Sequence, residues 1–273
     1  MAKGHLETIK LYNLSANDLI RLGKILRRAS PAVKSLYYST TEHSSIQTLS
    51  FLRMTPESLI VRNEHPQGPP VFADLAPLFG PTLRILSFHR SIPTFPDLYK
   101  YAPMLGSLTS LSITGSGYRN VMNLLFHMTI IEEIIFDFEE EIVNPDAFHS
   151  DIFLPSLRVF KLRRVPCPTR MGLSSLSVHA PMLHTFHLDS TSASLWLLVF
   201  SDRGAPAAIV DFRVDQPNGP VMTLSHLQPF LCDTIESFAL TSVSYDLGPL
   251  LRDIHAGLIL SRRKYLEFTF HDD

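Results

Sequence analysis

The sequence predicts an α/β solenoid of about eleven irregular repeats, with a curved parallel sheet on its concave face and helices on its convex face. Three observations predict it. In residues 157–165 apolar side chains fall at the first, fourth, sixth and ninth places: Leu157, Phe160, Leu162 and Val165. The fourth and sixth share one side of a short strand, while Val159, Lys161 and Arg163 take the other. The same frame returns at Leu183, Phe186 and Leu188, at Ile209, Phe212 and Val214, and at Ile235, Phe238 and Leu240, each step being 26 residues. Lastly, Pro31, Pro81, Pro155 and Pro181 each stand two places before a first-place apolar residue. Proline there sets the turn into the strand and stops a preceding helix from running on.

Taken in order, the first unit opens with Leu6, Ile9, Leu11 and Leu14 in the strand frame. Ser15 and Asp18 then form the ends of a capping box for a helix with Leu19, Leu22 and Leu26 on one face. Arg21, Lys24, Arg27 and Arg28 face solvent, the last two near the helix's negative end. Val33, Leu36 and Tyr38 make the second strand. Ile46, Leu49 and Phe51 copy the frame but start only 13 residues later, too near for another coil. Residues 42–52 are therefore expected as a helix, and the third strand falls at Leu59 and Val61 with Pro56 in the first place. Leu83, Leu86 and Phe88 form the fourth strand, after a short helix over 72–79 ended by Gly80. Leu108, Leu111 and Ile113 form the fifth, after a helix begun at Pro96. Ile131, Ile134 and Phe136 form the sixth, after a helix bearing Val121, Leu124, Leu125 and Met128. Beyond the regular 26-residue block, Tyr265, Phe268 and Phe270 close the array. They follow a longer helix over 246–264, with Leu250 or Leu251, Ile254 and Leu258 at helical spacing. The chain reads as one domain, 1–273, whose segment 245–273 covers the last sheet edge.

Composition narrows the function. A formal charge of −2 is not the basic footprint of a nucleic-acid binder. No apolar run approaches the roughly 18 residues of a membrane span, and the amino end carries no apolar signal segment. Cys167 and Cys232 are too few and too far apart for a disulfide framework or a zinc knot, so Cys232 is expected as a reduced, buried thiol. An intracellular location, cytoplasmic or nuclear, follows. Among the 12 histidines, His184 and His187 are three apart, which on a strand puts them on opposite faces. Neither H-E-x-x-H nor Cys-x-x-Cys occurs, and no metal or cofactor is expected. Residues 114–117 lack the strand–glycine–lysine pattern of a phosphate loop, and no G-x-S-x-G elbow is present. Ser87, His89 and Ser112 come nearest to a catalytic grouping and read as plain surface. The expectation is a protein that is not an enzyme; a hydrolase or transferase with an unrecognised site is the alternative from another class.

The frame L-x-x-L-x-L at this period resembles the leucine-rich repeat. Within that class, Pro-Ser-Leu-Arg-Val-Phe-Lys-Leu at 155–162 and His-Ala-Pro-Met-Leu-His-Thr-Phe-His-Leu at 179–188 resemble the repeat portions of F-box proteins of mushroom-forming (basidiomycete) fungi. The resemblance covers nearly the whole chain, in residues that set fold. It implies a protein–protein interaction scaffold that recognises substrate for an SCF-type (cullin–RING) ubiquitin ligase, whose adaptor is held by an amino-terminal F-box. No F-box reads in this sequence, because Met1 leads into the first strand frame. The adaptor would then be reached through a segment upstream of Met1. A truncated F-box fragment with no present partner is the other reading that the resemblance leaves open.

In such a scaffold the partner surface is the concave sheet face, where third, fifth and seventh places project. The candidates there are Tyr12, Tyr37, Arg62, His89, Glu133, Asp137, Lys161, Arg163, His187, Asp189, Asp211 and Arg213. Adjacent strands lie about 4.8 Å apart, so charges of alternating sign on neighbouring rows can pair. A self-neutralising solvated face is the competing expectation. Tyr12 and Tyr37, side by side on early rows, would anchor a partner better than the charges.

Overall fold

Apolar residues at the fourth and sixth places of a frame bury one face of a strand and leave the other polar. Each such frame forms a parallel strand in the computed structural model, which describes residues 6–29, 33–41, 46, 48–52, 54–63, 75–89, 104–115, 125–138, 150–164, 176–202, 204, 206–217, 222–241, 248–257 and 259–269. The chain is α/β, with few helices and parallel strands in chain order. It divides into two compact units, Met1–Ile131 and Glu132–Asp273.

In the first unit β1 (Thr8–Tyr12), β2 (Ser35–Thr40), β3 (Ser58–Asn63), β4 (Ile85–His89) and β5 (Ser110–Gly115) lie side by side. Their inward residues run in register: Ile9, Leu36, Leu59, Leu86 and Leu111 in one file, Leu11, Tyr38, Val61, Phe88 and Ile113 in the next. All ten are buried. Pro56 takes the buried first place of β3, as the frame predicts. Helix α1 (Ala16–Ala29) begins where expected: the Asp18 amide donates to Ser15 Oγ at 3.2 Å. Leu19 and Leu26 are buried beneath it, with Arg21 and Lys24 in solvent. Of the helix expected over 42–52, Ile46 is helical and the end is a 3-10 turn, Thr48–Leu52, burying Leu49 and Leu52. Ile46 is also buried, and Phe51 faces solvent. Of the short helix expected over 72–79, Leu75 is helical and a 3-10 turn follows, Ala76–Leu78. Residues 42–45, 47, 71–74, 90–103 and 116–124, where parts of those helices and the Pro96 and Val121–Leu124 expectations fall, lie outside the described residues.

In the second unit the strands are β6 (Glu133–Phe138), β7 (Ser150–Phe153), β8 (Val159–Arg163), β9 (Leu176–His179), β10 (Thr185–Asp189), β11 (Asp211–Asp215), β12 (Ser237–Thr241) and β13 (Tyr265–Thr269). The six strands β6, β8, β10, β11, β12 and β13 form the main sheet in that order. Ile134, Phe160, Phe186, Phe212, Phe238 and Leu266 make one inward file. Its phenyl rings follow one another at 5.9, 5.8 and 5.4 Å from Phe160 to Phe238. Three helices, α2 (Ala193–Ser201), α3 (Leu224–Leu227) and α4 (Gly248–His255), belong to the same unit. Phe200 of α2 closes over Phe160 and Phe186 at 4.7 and 4.9 Å, and Phe230, just after α3, stacks on Phe186 at 5.6 Å. This aromatic packing is the core of the unit.

One joint recurs between neighbouring strands in both units: the carbonyl of a second-place residue accepts two successive amides of the next frame. Glu7 takes Lys34 and Ser35, Glu132 takes Arg158 and Val159, and Glu236 takes Lys264 and Tyr265, each at 2.7–3.0 Å. Pro81, Pro155 and Pro181 sit in tight turns closed by Leu83, Leu157 and Leu183, whose amides reach the carbonyls of Gly80, Leu154 and Ala180. Pro31 lies outside the described residues.

One pair of strands was not predicted, and two expectations are corrected. Among the described residues the returns before β8 and β10 carry two strands that the sequence frame does not name, β7 and β9, which pair in a two-stranded parallel sheet of their own. Each has four residues; Ile152 and Val178 pack side by side, and Ser177 Oγ donates to Asp151 Oδ1 at 2.6 Å. The long helix over 246–264 is only α4, ended by Gly257 at φ +70. The last strand is read two residues late: Phe238 pairs with Leu266 and Leu240 with Phe268, which puts Arg263 in the apolar first place. A charged residue there disguised the frame.

Candidate functional site

Register decides which polar side chains meet. On the outward side of the main sheet in the second unit, the seventh places Asp137, Arg163, Asp189 and Asp215 stand on successive strands. The fifth places run Ile135, Lys161, His187, Arg213, Ala239 and Glu267. The third places include Glu133, Asp211, Ser237 and Tyr265.

Cations and carboxylates pair across these rows, as their alternating signs predict. Arg163 Nε donates to Asp189 Oδ2 at 2.8 Å, and its Nη1 lies 3.5 Å from Asp137 Oδ2. Asp137 also accepts from Arg164 Nη2 at 2.9 Å. Arg164 reaches it from a left-handed backbone, φ +56, that turns an eighth-place residue back over the sheet. Next to this chain, Asp211 accepts from His187 Nε2 at 2.7 Å and from Arg213 Nε at 3.0 Å. Arg163 and Arg213 are more than half exposed, so each of their pairs contributes at most about 1 kcal/mol to stability. What the pairs do is hold the charges in fixed positions.

The titration of these groups follows their surroundings. Burial pushes the His187 imidazole down, reinforced by the charges of Lys161 and Arg213 and opposed by Asp211. It is thus a neutral donor to Asp211. Burial alone would raise Asp211, but hydrogen bonds from Arg213 and His187 outweigh it and leave this carboxyl below its ordinary value. Asp189 is shifted up, first by burial and then by the neighbouring Asp215, against the pull of Arg163. A groove of about 390 Å³ runs over the fifth and seventh places, from Ile135 to Glu267.

The earlier candidates occupy the first unit. Tyr12 and Tyr37 do stand side by side, ring centroids 5.6 Å apart, with Tyr12 58% exposed. Arg62 is exposed and registers with His89. His89 is held between two hydroxyls, Ser87 Oγ at 3.2 Å and Thr114 Oγ1 at 2.8 Å, and burial with the Arg62 charge keeps it below its ordinary value. Ser112 registers with Ser87, so these three residues are neighbours.

Among the described residues no group of three or more His, Cys, Asp or Glu side chains is placed to hold a metal ion. None of the described helices is long and apolar enough to cross a membrane. Cys232 is a free, half-buried thiol 3.0 Å from Thr234 Oγ1, not the buried one expected; Cys167 lies outside the described residues. Four residues of the face escaped the candidate set: Arg164, Asp215, Tyr265 and Glu267. Asp215 lay on a predicted outward place and could have been included. Glu267 also lay on a predicted outward place, Tyr265 was read as a first place because of the two-residue slip, and nothing in the sequence marks the backbone turn that brings Arg164 in. The chain matches no protein-family model, no curated protein and no solved structure with which it was compared.

Proposed function

We propose that the chain is a leucine-rich-repeat module without catalytic activity, and that it binds a protein partner on the outward sheet face of the second unit. The observation that carries this reading is the lattice of register-fixed charges from Asp137 to Asp215 over a shallow groove. Charges held by their neighbours are already ordered, so a partner of complementary pattern binds them without the entropy cost of fixing long side chains. The resemblance of residues 155–162 and 179–188 to fungal F-box repeats supports a narrower form: intracellular substrate recognition for an SCF-type ubiquitin ligase.

The test is partner capture with the whole chain, compared with a variant carrying Lys161→Glu, Arg163→Glu and Arg213→Glu. Partners of this face are lost from the variant but kept by a control carrying Arg21→Glu and Lys24→Glu on the solvent side of α1. Capture that is unchanged by the triple reversal overturns the reading. Recovery of the ligase adaptor with the longest native form of the chain tests the narrower form, and its absence there removes it.

A further inference from the structure

On the outward face, β12 carries its smallest side chain at the fifth place. Ala239 registers with Arg213 on one side and Glu267 on the other, and its methyl group between two long side chains leaves a hollow. The groove passes over it, with Asp215 and Thr241 at the seventh places on its wall. The neighbouring arginines are engaged elsewhere: Arg163 with Asp189 and Asp137, Arg213 with Asp211. The two carboxylates flanking the hollow are not matched in this way. Glu267 accepts a neutral hydrogen bond, from Tyr265 Oη at 2.6 Å. Asp215 has Oδ1 buried with no hydrogen-bond partner. Among the described residues neither carboxylate is ion-paired.

We propose that this hollow seats a single lysine or arginine side chain of the protein partner. Its aliphatic stem lies over the Ala239 methyl, its charged head stands between Asp215 and Glu267, and Thr241 supplies a neutral acceptor. A carboxylate stripped of part of its hydration is costly until a cation is brought to it, and charge-assisted hydrogen bonds are the strong ones. An anion would meet two unmatched carboxylates, and an apolar group would bury them further. About 390 Å³ lies near the lower end of the roughly 300–1,000 Å³ typical of ligand pockets, space for one long side chain rather than a helix. The inference rests on the protein-binding reading of this face and names the chemistry the partner presents to it.

The test titrates the whole methyl-labelled chain with blocked arginine and blocked lysine (Nα-acetyl, N-methylamide), against blocked norleucine and blocked glutamate. Both cationic probes shift the Ala239 and Thr241 methyl resonances saturably, in the millimolar range, and the controls do not. Asp215→Asn, which keeps the shape, weakens the response about tenfold. Ala239→Leu fills the hollow and abolishes the response at Thr241, while methyl signals elsewhere show that the fold persists. Cationic probes that move neither methyl, norleucine that moves both equally, or Asp215→Asn that binds as well as the parent each overturns the proposal. The two readings fail separately. A partner lost on reversal of Lys161, Arg163 and Arg213 but kept by Asp215→Asn and Ala239→Leu leaves protein binding standing and refutes the cation seat.

Discussion

His187 shows how one residue's neighbours fix its chemistry. Burial and the flanking Lys161 and Arg213 disfavour an imidazolium, while Asp211 at 2.7 Å favours it; the balance falls on the neutral side, below the ordinary 6.5. The sign of the pH effect follows. As pH falls through 6.5 the unfolded chain takes up this proton before the folded one does. The group's contribution to stability is therefore fully present above 6.5 and is lost between 6.5 and the lowered folded value. His89 and His226 are shifted the same way and add to the loss. Asp189, shifted upward, has the opposite sign in its own window above 3.8. The urea midpoint is expected to fall as pH drops from about 7.5 to about 5.5, with a shallower fall in His187→Gln. Imidazole NMR of His187 reads the same shift directly; a titration at or above 6.5 would contradict the burial of this ring between Lys161 and Arg213.

At the scale of the element, Gly23 in α1 sets two preferences against each other. Alanine there would gain about 1 kcal/mol of helix propensity. A Cβ at this position, however, would stand 2.5 Å from the Phe51 carbonyl oxygen and 3.1 Å from its carbon, in the 3-10 turn that packs against the helix. A backbone carbonyl cannot swing aside, and overpacking of this kind costs about 1–3 kcal/mol. The clash wins: Gly23→Ala is expected to lose about 1 kcal/mol in urea unfolding, and a gain would show that helix and turn are not in contact. Nothing in the sequence distinguished that turn from a helix, because Ile46, Leu49 and Leu52 suit either. The main strands were legible for a different reason. An apolar pair two apart that returns at the repeat spacing marks a half-buried strand, so even Leu59 and Val61 fell in register. Elements built without that frame were missed, as with β7 and β9, and so was the true start of the last frame, where Arg263 stands in an apolar place. The site was legible to the same extent. Outward charges such as Asp137, Arg163 and Asp211 follow from alternation, whereas the hollow at Ala239 appears only once the neighbours of β12 are known.

For the whole molecule, what matters is that each strand is stabilised by its neighbours in the order and not by a shared centre. In the second unit Phe186 and Phe212 are fully buried, with a strand on either side and rings above and below them in the file. At β13 the same inward place is Leu266, 37% exposed, and β13 pairs with β12 alone among the described strands. Stability should therefore be graded, since local opening is governed by buried contacts and nearest-neighbour interfaces. Hydrogen exchange read by mass spectrometry is expected to be slowest in β10 and β11 and fastest in β13, with β1 the fast edge of the first unit. Uniform protection across β10 to β13 would mean that the unit opens in one step, and would refute the graded account. The gradient also bears on binding. The hollow over Ala239 draws one wall from β11 and the other from β13, so a cationic side chain seated there ties the least stable strand to one of the most stable. Saturating blocked arginine should then slow exchange in β13 and leave β10 unchanged, an effect that Asp215→Asn removes.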